Sequence, residues 1–182
     1  MPNVFKSCWM PANIFAARRG GKWDVAKLLD FGLVQETTPG TNGEGGQDSV
    51  RTTVSGSPLY MSPEQVAASG PLDARTDIYS LGATAYYLLT SKPPFAAKSA
   101  QEVMKAHVME HVVPPSELNP SLPPDLEDIV LCCLEKDAAD RFASVDEIER
   151  AIAQCACANL WTDQAAAQWW SGADVASSGD VL

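Results

Sequence analysis

The chain has 182 residues, 46% of them hydrophobic, with 13 Lys+Arg against 23 Asp+Glu and a formal net charge of -10. That length and apolar content suit one globular domain with a real core, and exclude a wholly disordered tail or a disulfide-stapled miniprotein. The acidic balance argues against a nucleic acid or an anionic membrane surface as partner.

Near the N-terminus, Ile14-Phe15-Ala16-Ala17 and Val25-Ala26-Lys27-Leu28-Leu29 are short apolar runs joined by Arg18-Arg19-Gly20-Gly21-Lys22. Paired glycines permit a tight reversal, so a small β-hairpin is expected. Residues 35–57 are rich in glycine, serine and threonine with few apolar anchors, which predicts a long mobile loop. At Ser62-Pro63-Glu64-Gln65 a serine N-cap candidate precedes a proline at the first helical position, opening a short helix that ends near Gly70-Pro71.

Between Thr76 and Thr90 apolar residues run nearly all round a helical projection, which places that helix in the middle of the domain. Ser91-Lys92-Pro93-Pro94 stops it. Three amphipathic helices follow. The first covers Ala100 to Glu110 and is closed by a loop around Pro114, Pro115 and Pro120. The second runs from about Pro124 to Lys136. The third is opened by a Ser144/Glu147 capping box and turns Val145, Ile148, Ala151, Ile152 and Cys155 inward. One more helix is expected around Trp161, Trp169 and Trp170, with the last ten or so residues disordered.

The cysteines Cys8, Cys132, Cys133, Cys155 and Cys157 match no paired zinc spacing and fit a reducing cytoplasm. His107 and His111 lack a third ligand nearby and are expected on a solvated helix face rather than at a metal. No signal peptide is read at the N-terminus, and no apolar stretch approaches the ~20 residues that cross a bilayer. A soluble, cytoplasmic chain is the expectation.

The candidate chemistry gathers at the hairpin. Asn13 precedes its first strand and Asp30-Phe31-Gly32 closes its second. Two such oxygen-bearing side chains can share a hard divalent cation, which would bring phosphates with it. Together with Pro11-Ala12-Asn13-Ile14, the segments Gly56-Ser57-Pro58-Leu59-Tyr60-Met61-Ser62-Pro63-Glu64-Gln65 and Asp73-Ala74-Arg75-Thr76-Asp77-Ile78-Tyr79-Ser80-Leu81-Gly82 resemble, in this order, the eukaryotic-like serine/threonine protein kinases of bacteria.

The resemblance implies a mainly α fold: the C-lobe of the protein kinase-like fold with a small β-hairpin, the N-lobe being absent. It divides the chain into a non-matching segment 1–9, a C-lobe over 10–155 with the activation segment at 30–64, and a remainder, 156–182, with a short helix and tail. Because the resemblance starts abruptly near Met10, the chain reads as a truncated or frame-disrupted form of a longer kinase. The implied family activity is ATP-dependent phosphorylation of protein serine and threonine, with ATP and Mg2+ as cofactors and a protein substrate or partner kinase as partner.

Carried over residue by residue, Asn13 and Asp30 are the metal-holding pair. Thr52, Thr53, Ser55 and Ser57 lie where related kinases place activating phosphosites, although hydroxyl residues are also common in mobile loops. Glu64 resembles the family's buried glutamate, with Arg141 of Asp140-Arg141-Phe142 as its partner. Asp77 is either the aspartate that holds the catalytic loop's backbone or an ordinary N-terminal helix carboxylate. Counting back from Asn13, Cys8 stands where the family has its catalytic aspartate and Met10 where it has the catalytic-loop lysine.

A thiol does not replace a carboxylate ionised at neutral pH, and methionine offers no charge to a transferring phosphate. No phosphotransfer is therefore expected from this chain alone, nor productive binding of ATP and Mg2+. The alternative is a non-catalytic, pseudokinase-like interaction module.

Overall fold

Four short strands precede a run of helices in the computed structural model, which describes residues 4–6, 10–29, 34–36, 57–68 and 72–177. The strands are β1 (Val4–Lys6), β2 (Ile14–Arg19), β3 (Lys22–Leu28) and β4 (Val34–Glu36), forming two antiparallel pairs, β1 with β4 and β2 with β3. The hairpin reverses at Gly20 and Gly21, whose φ values of 59° and 78° place both in the left-handed region that glycine enters without steric cost. Arg18, Arg19 and Lys22, expected in the turn, instead extend the strands. The register runs from Ile14 opposite Leu28 to Arg19 opposite Lys22, with a bulge past Ala17 where Asp24 takes φ 52°. The β1–β4 pairing was not expected; its strands are three residues each and far apart in sequence, so neither carries a periodic signal.

The helices are α1 (Pro63–Ala67), α2 (Ala74–Thr90), α3 (Ala100–Met109), α4 (Pro115–Leu118), α5 (Pro124–Cys133), α6 (Val145–Gln154) and α7 (Asp163–Ser177). Helix α2 is the axis of the core. Its Tyr79, Ala83 and Tyr86 bury against Val130 and Leu134, while Ile78 joins Cys133 and Ile148. Polar side chains on α2 are matched within this core: Ser80 Oγ donates to the Tyr60 carbonyl at 2.7 Å and Tyr86 OH to that of Val113 at 2.9 Å.

Several expectations are corrected. In the last turn of α2 Leu88 is 66% exposed, so the helix is not buried all round. Helix α4 replaces part of the expected loop, because Pro115 at its first position needs no hydrogen-bond partner for a missing N–H. Helix α5 stops at Cys133, short of Lys136.

Ser144 does accept from Glu147 N, but the glutamate reaches past the cap to accept from Ala143 N at 2.8 Å, so the reciprocal half of the box is displaced by one residue. Helix α6 buries Ile148, and Cys155 just past its end is buried too, yet Val145 is 58% and Ile152 45% exposed, because the helix meets its neighbours along a narrower stripe than its apolar residues span. Helix α7 continues to Ser177, well into the stretch expected to be disordered. The expected loop at 35–57 lies mostly outside the described residues. Among the described residues no helix is long and apolar enough to cross a membrane.

Candidate functional site

The site begins with a helix start. Ser62 caps α1: its Oγ accepts from Gln65 N at 3.4 Å, and Gln65 Oε1 accepts from Ser62 N at 2.9 Å. With Pro63 at the first position, this reciprocal cap fixes the direction in which Glu64 leaves the chain. Seventy-odd residues on, Asp137 caps a 3-10 turn over Ala138–Asp140, accepting from Ala139 N at 2.8 Å, and delivers Arg141 at its end.

The two side chains meet in a bidentate pair. Arg141 Nη1 donates to Glu64 Oε1 at 2.8 Å and Nη2 to Oε2 at 2.9 Å. The remaining guanidinium hydrogens go to backbone carbonyls: Nε to Glu135 at 2.8 Å, Nη1 to Arg75 at 2.9 Å and Nη2 to Lys136 at 3.2 Å. All the donors of the fork are thereby used, and its carbon sits 4.9 Å from the centre of the Tyr79 ring. Thr76 Oγ1 adds a 2.9 Å bond to Glu64 Oε1. Burial alone would raise the Glu64 pKa, but the bonds from Arg141 outweigh it and hold the carboxyl below its ordinary value.

Beneath this clamp lies a second buried group that the sequence reading missed. His107 is fully buried, not on a solvated face, because its helix turns it toward Tyr79 and Phe95. Its Nδ1 is 2.8 Å from Tyr79 OH. Burial pushes the Tyr79 pKa up, and burial together with the nearby Lys136 charge pushes that of His107 down to about 4. Both groups are therefore neutral, and the 2.8 Å contact is a single neutral hydrogen bond between phenol and imidazole. Lys136 Nζ donates to the His107 carbonyl at 2.8 Å and stands 4.4 Å from the Phe95 ring centre. Burial, then the Arg141 charge, lowers its pKa to about 8. No local pattern announces that Tyr79, Phe95 and Lys136 gather on His107; only their convergence in space does.

At the hairpin, Met10 and Asn13 bracket a 3-10 turn over Pro11–Asn13, with Asn13 N donating to the Met10 carbonyl at 2.8 Å. The Asn13 carbonyl accepts from Leu29 N at 2.7 Å, closing the open end of the hairpin. Helix α2 packs against this turn, and Asp77 lies half-buried in the first turn of α2. Ser57 precedes the 3-10 turn Pro58–Tyr60, its side chain making no capping bond. Cys8, Asp30, Thr52, Thr53 and Ser55 lie outside the described residues. Among the described residues no group of three or more His, Cys, Asp and Glu could hold a metal ion.

An axial buried helix whose first turns are gripped by a Ser-Pro-Glu helix start paired with an Asp-Arg-Phe loop defines a protein kinase-like fold. The protein kinase domain family matches residues 10–155, and the chain belongs to that family. Over 146 residues it is 38% identical to a probable serine/threonine-protein kinase of Streptomyces coelicolor, covering 80% of this chain and 20% of that protein. It is 36% identical over 145 residues to the serine/threonine-protein kinase Pkn1 of Myxococcus xanthus, with 78% and 20% covered. Against the serine/threonine-protein kinase PknB of Mycolicibacterium smegmatis it is 35% identical over 138 residues, with 76% and 21% covered. The chain spans about a fifth of the length of these curated relatives.

Proposed function

We propose that residues 10–155 form the C-lobe of a serine/threonine protein kinase, and that the chain by itself transfers no phosphate. The observation that carries the lobe assignment is the bidentate clamp between Glu64 and Arg141 around α2, in a segment that matches the kinase domain throughout. The activation segment is read as 30–64, with Thr52, Thr53, Ser55 and Ser57 as candidate phosphosites. Segment 1–9 and residues 156–182 lie outside the lobe. A protein is the proposed substrate or partner, and an acidic chain with free thiols at Cys132, Cys133, Cys155 and Cys157 fits a cytoplasmic setting without nucleic acid.

Asn13 and Asp30 fit a hard divalent cation by donor type, one amide oxygen and one carboxylate. The bond from Leu29 N to the Asn13 carbonyl holds Asn13 against the end of the second hairpin strand. When bound there, Mg2+ would neutralise the phosphates of ATP. Asn13 would orient such a cation from a turn anchored on Met10, and Asp77 at the start of α2 would hold the neighbouring backbone.

Proton transfer is where the residues do not suit the reaction. Cys8 stands in the place of the base and Met10 in that of the phosphate-facing lysine, so neither can take a hydroxyl proton as a carboxylate does or balance phosphate charge. Inactivity rests on these two side chains and not on where the chain starts.

Incubation of the chain with labelled ATP, Mg2+ and an acceptor protein tests this reading. No label should transfer; robust labelling of the acceptor or of the chain itself would overturn the inactivity.

A second reading, a non-catalytic interaction module, is favoured by the Arg141 guanidinium, whose donors are all used by partners among the described residues that hold the helices together. A monodisperse, cooperatively melting protein in solution would support it, and an aggregate would count against it.

A further inference from the structure

Outside the matched region, the C-terminal segment is tied back to the hairpin at Asp24. Trp161 Nε1–H donates to Asp24 Oδ2 at 2.7 Å, and Trp170 Nε1–H donates to Asp24 Oδ1 at 2.6 Å. One carboxylate thus holds two indoles, one on each oxygen, across 137 and 146 residues of sequence. Asp24 is the residue at φ 52° on the bulge of β3, a conformation that Asp and Asn tolerate better than other side-chain-bearing residues. Trp169 braces Trp170 edge-on, with ring centres 5.2 Å apart, and Arg18 covers the neighbouring Trp23 at 4.7 Å. Between the two elements is a cavity lined by Gly21, Lys22 and Trp23 on the hairpin and Asp163 at the start of α7.

We propose that Trp161 and Trp170 form an intramolecular latch on Asp24, which couples the docking of α7 to the order of the hairpin and of Asn13 at its far end. The two ends of the hairpin are mechanically linked: Asp24 sits near its turn, and the bond from Leu29 N to the Asn13 carbonyl closes its mouth. Hydrogen bonds to an ionised acceptor are stronger than neutral ones, which gives the latch its hold. The contact is nonetheless open to water, with Trp161 56% exposed, so it can be released without unfolding the α2 core. The restraint would hold whether or not the chain handles nucleotide.

Hydrogen exchange on the full chain reads it directly. In Asp24→Asn the backbone conformation is retained, but the carboxamide offers one acceptor oxygen where the carboxylate offers two. Amides of 163–172 and of 14–28 should exchange about tenfold faster, with α2 and α5 unchanged. The double variant Trp161→Phe/Trp170→Phe keeps an aromatic ring at both positions but removes both N–H donors; it should reproduce the effect, and adding it to Asp24→Asn should bring little further change.

Unaltered exchange over 163–172 in these variants would overturn the latch, as would wild-type amides there exchanging at the unprotected rate. Acceleration of 163–172 with the hairpin unchanged would overturn the coupling. Should α2 lose protection as well in Asp24→Asn, the single Trp170→Phe variant decides: acceleration confined to α7 and the hairpin supports the proposal, and none overturns it.

Discussion

A methyl group placed on Gly82 would stand 2.5 Å from Cys133 Cβ and 3.4 Å from the Cys133 carbonyl carbon. Helices α2 and α5 therefore cross at a point where only hydrogen fits. Glycine usually weakens a helix interior by about 1 kcal/mol relative to alanine, so Gly82→Ala gains on propensity. It loses more on packing, because the obstacle is the Cβ of a buried helical residue and not the tip of a flexible side chain. With overpacking at about 1 to 3 kcal/mol, the variant should come out less stable, and Gly82→Val more so. Urea denaturation measures the difference through a lower midpoint at unchanged slope.

Removing Arg141 strands Glu64 and the carbonyls of Arg75, Glu135 and Lys136 together. Arg141→Ala should cost about 3 to 5 kcal/mol. Arg141→Lys should recover little of it, since an ammonium cannot supply the planar fork. Thermal melts of the two variants should both fall well below wild type; a lysine variant melting like wild type would contradict the bidentate account.

Acid should weaken the fold in two stages. His107 has its pKa lowered from 6.5 to about 4, so the folded state binds fewer protons than the unfolded one in that window. Its contribution is complete above pH 6.5 and is lost as pH falls toward 4, on the order of 2 to 3 kcal/mol. Glu64, also lowered, gives stability that is complete above its ordinary value of 4.5 and is lost as pH falls below that. His107→Gln should flatten the first stage of a stability–pH curve and leave the second; an unchanged slope between pH 6.5 and 4 would show that His107 is not the group responsible.

Burial pushes the Cys133 thiol up to about 12, and Cys133 lies in the α2–α5 contact. It should resist iodoacetamide in the native protein and react once denaturant opens the core, whereas Cys157, which is not fully buried, should react natively. Mass mapping of the labelled peptides checks both.

How far the sequence could be read depended on range. Elements with local punctuation were legible: the Gly20-Gly21 reversal, the Ser62-Pro63 helix start, and the stop at Ser91-Lys92-Pro93-Pro94. The pairing of Glu64 with Arg141 was legible only through resemblance, because nothing local ties residues so far apart, and in the structure their side chains meet. Burial of His107 was misread, since an imidazole paired with His111 at helical spacing reads as part of a solvated face until Tyr79 and Phe95 are brought over it. The outward turn of Val145 and Ile152 was misread for a similar reason: apolar spacing says which residues share a face, not whether a partner covers all of it. The grip on Asp24 had no sequence signal, because it joins a bulge to two tryptophans more than a hundred positions away.

The stretch from Glu135 to Arg141 gives carbonyls from its first residues to Arg141, while its own Lys136 seizes the C-terminal end of α3 through the His107 carbonyl. One short connector is in this way bolted to α1 through Arg141 and to α3 through Lys136. A displacement of the Ser62–Glu64 segment would be passed through this connector to α3, so α1 and α3 should shift as a single block whenever either is displaced.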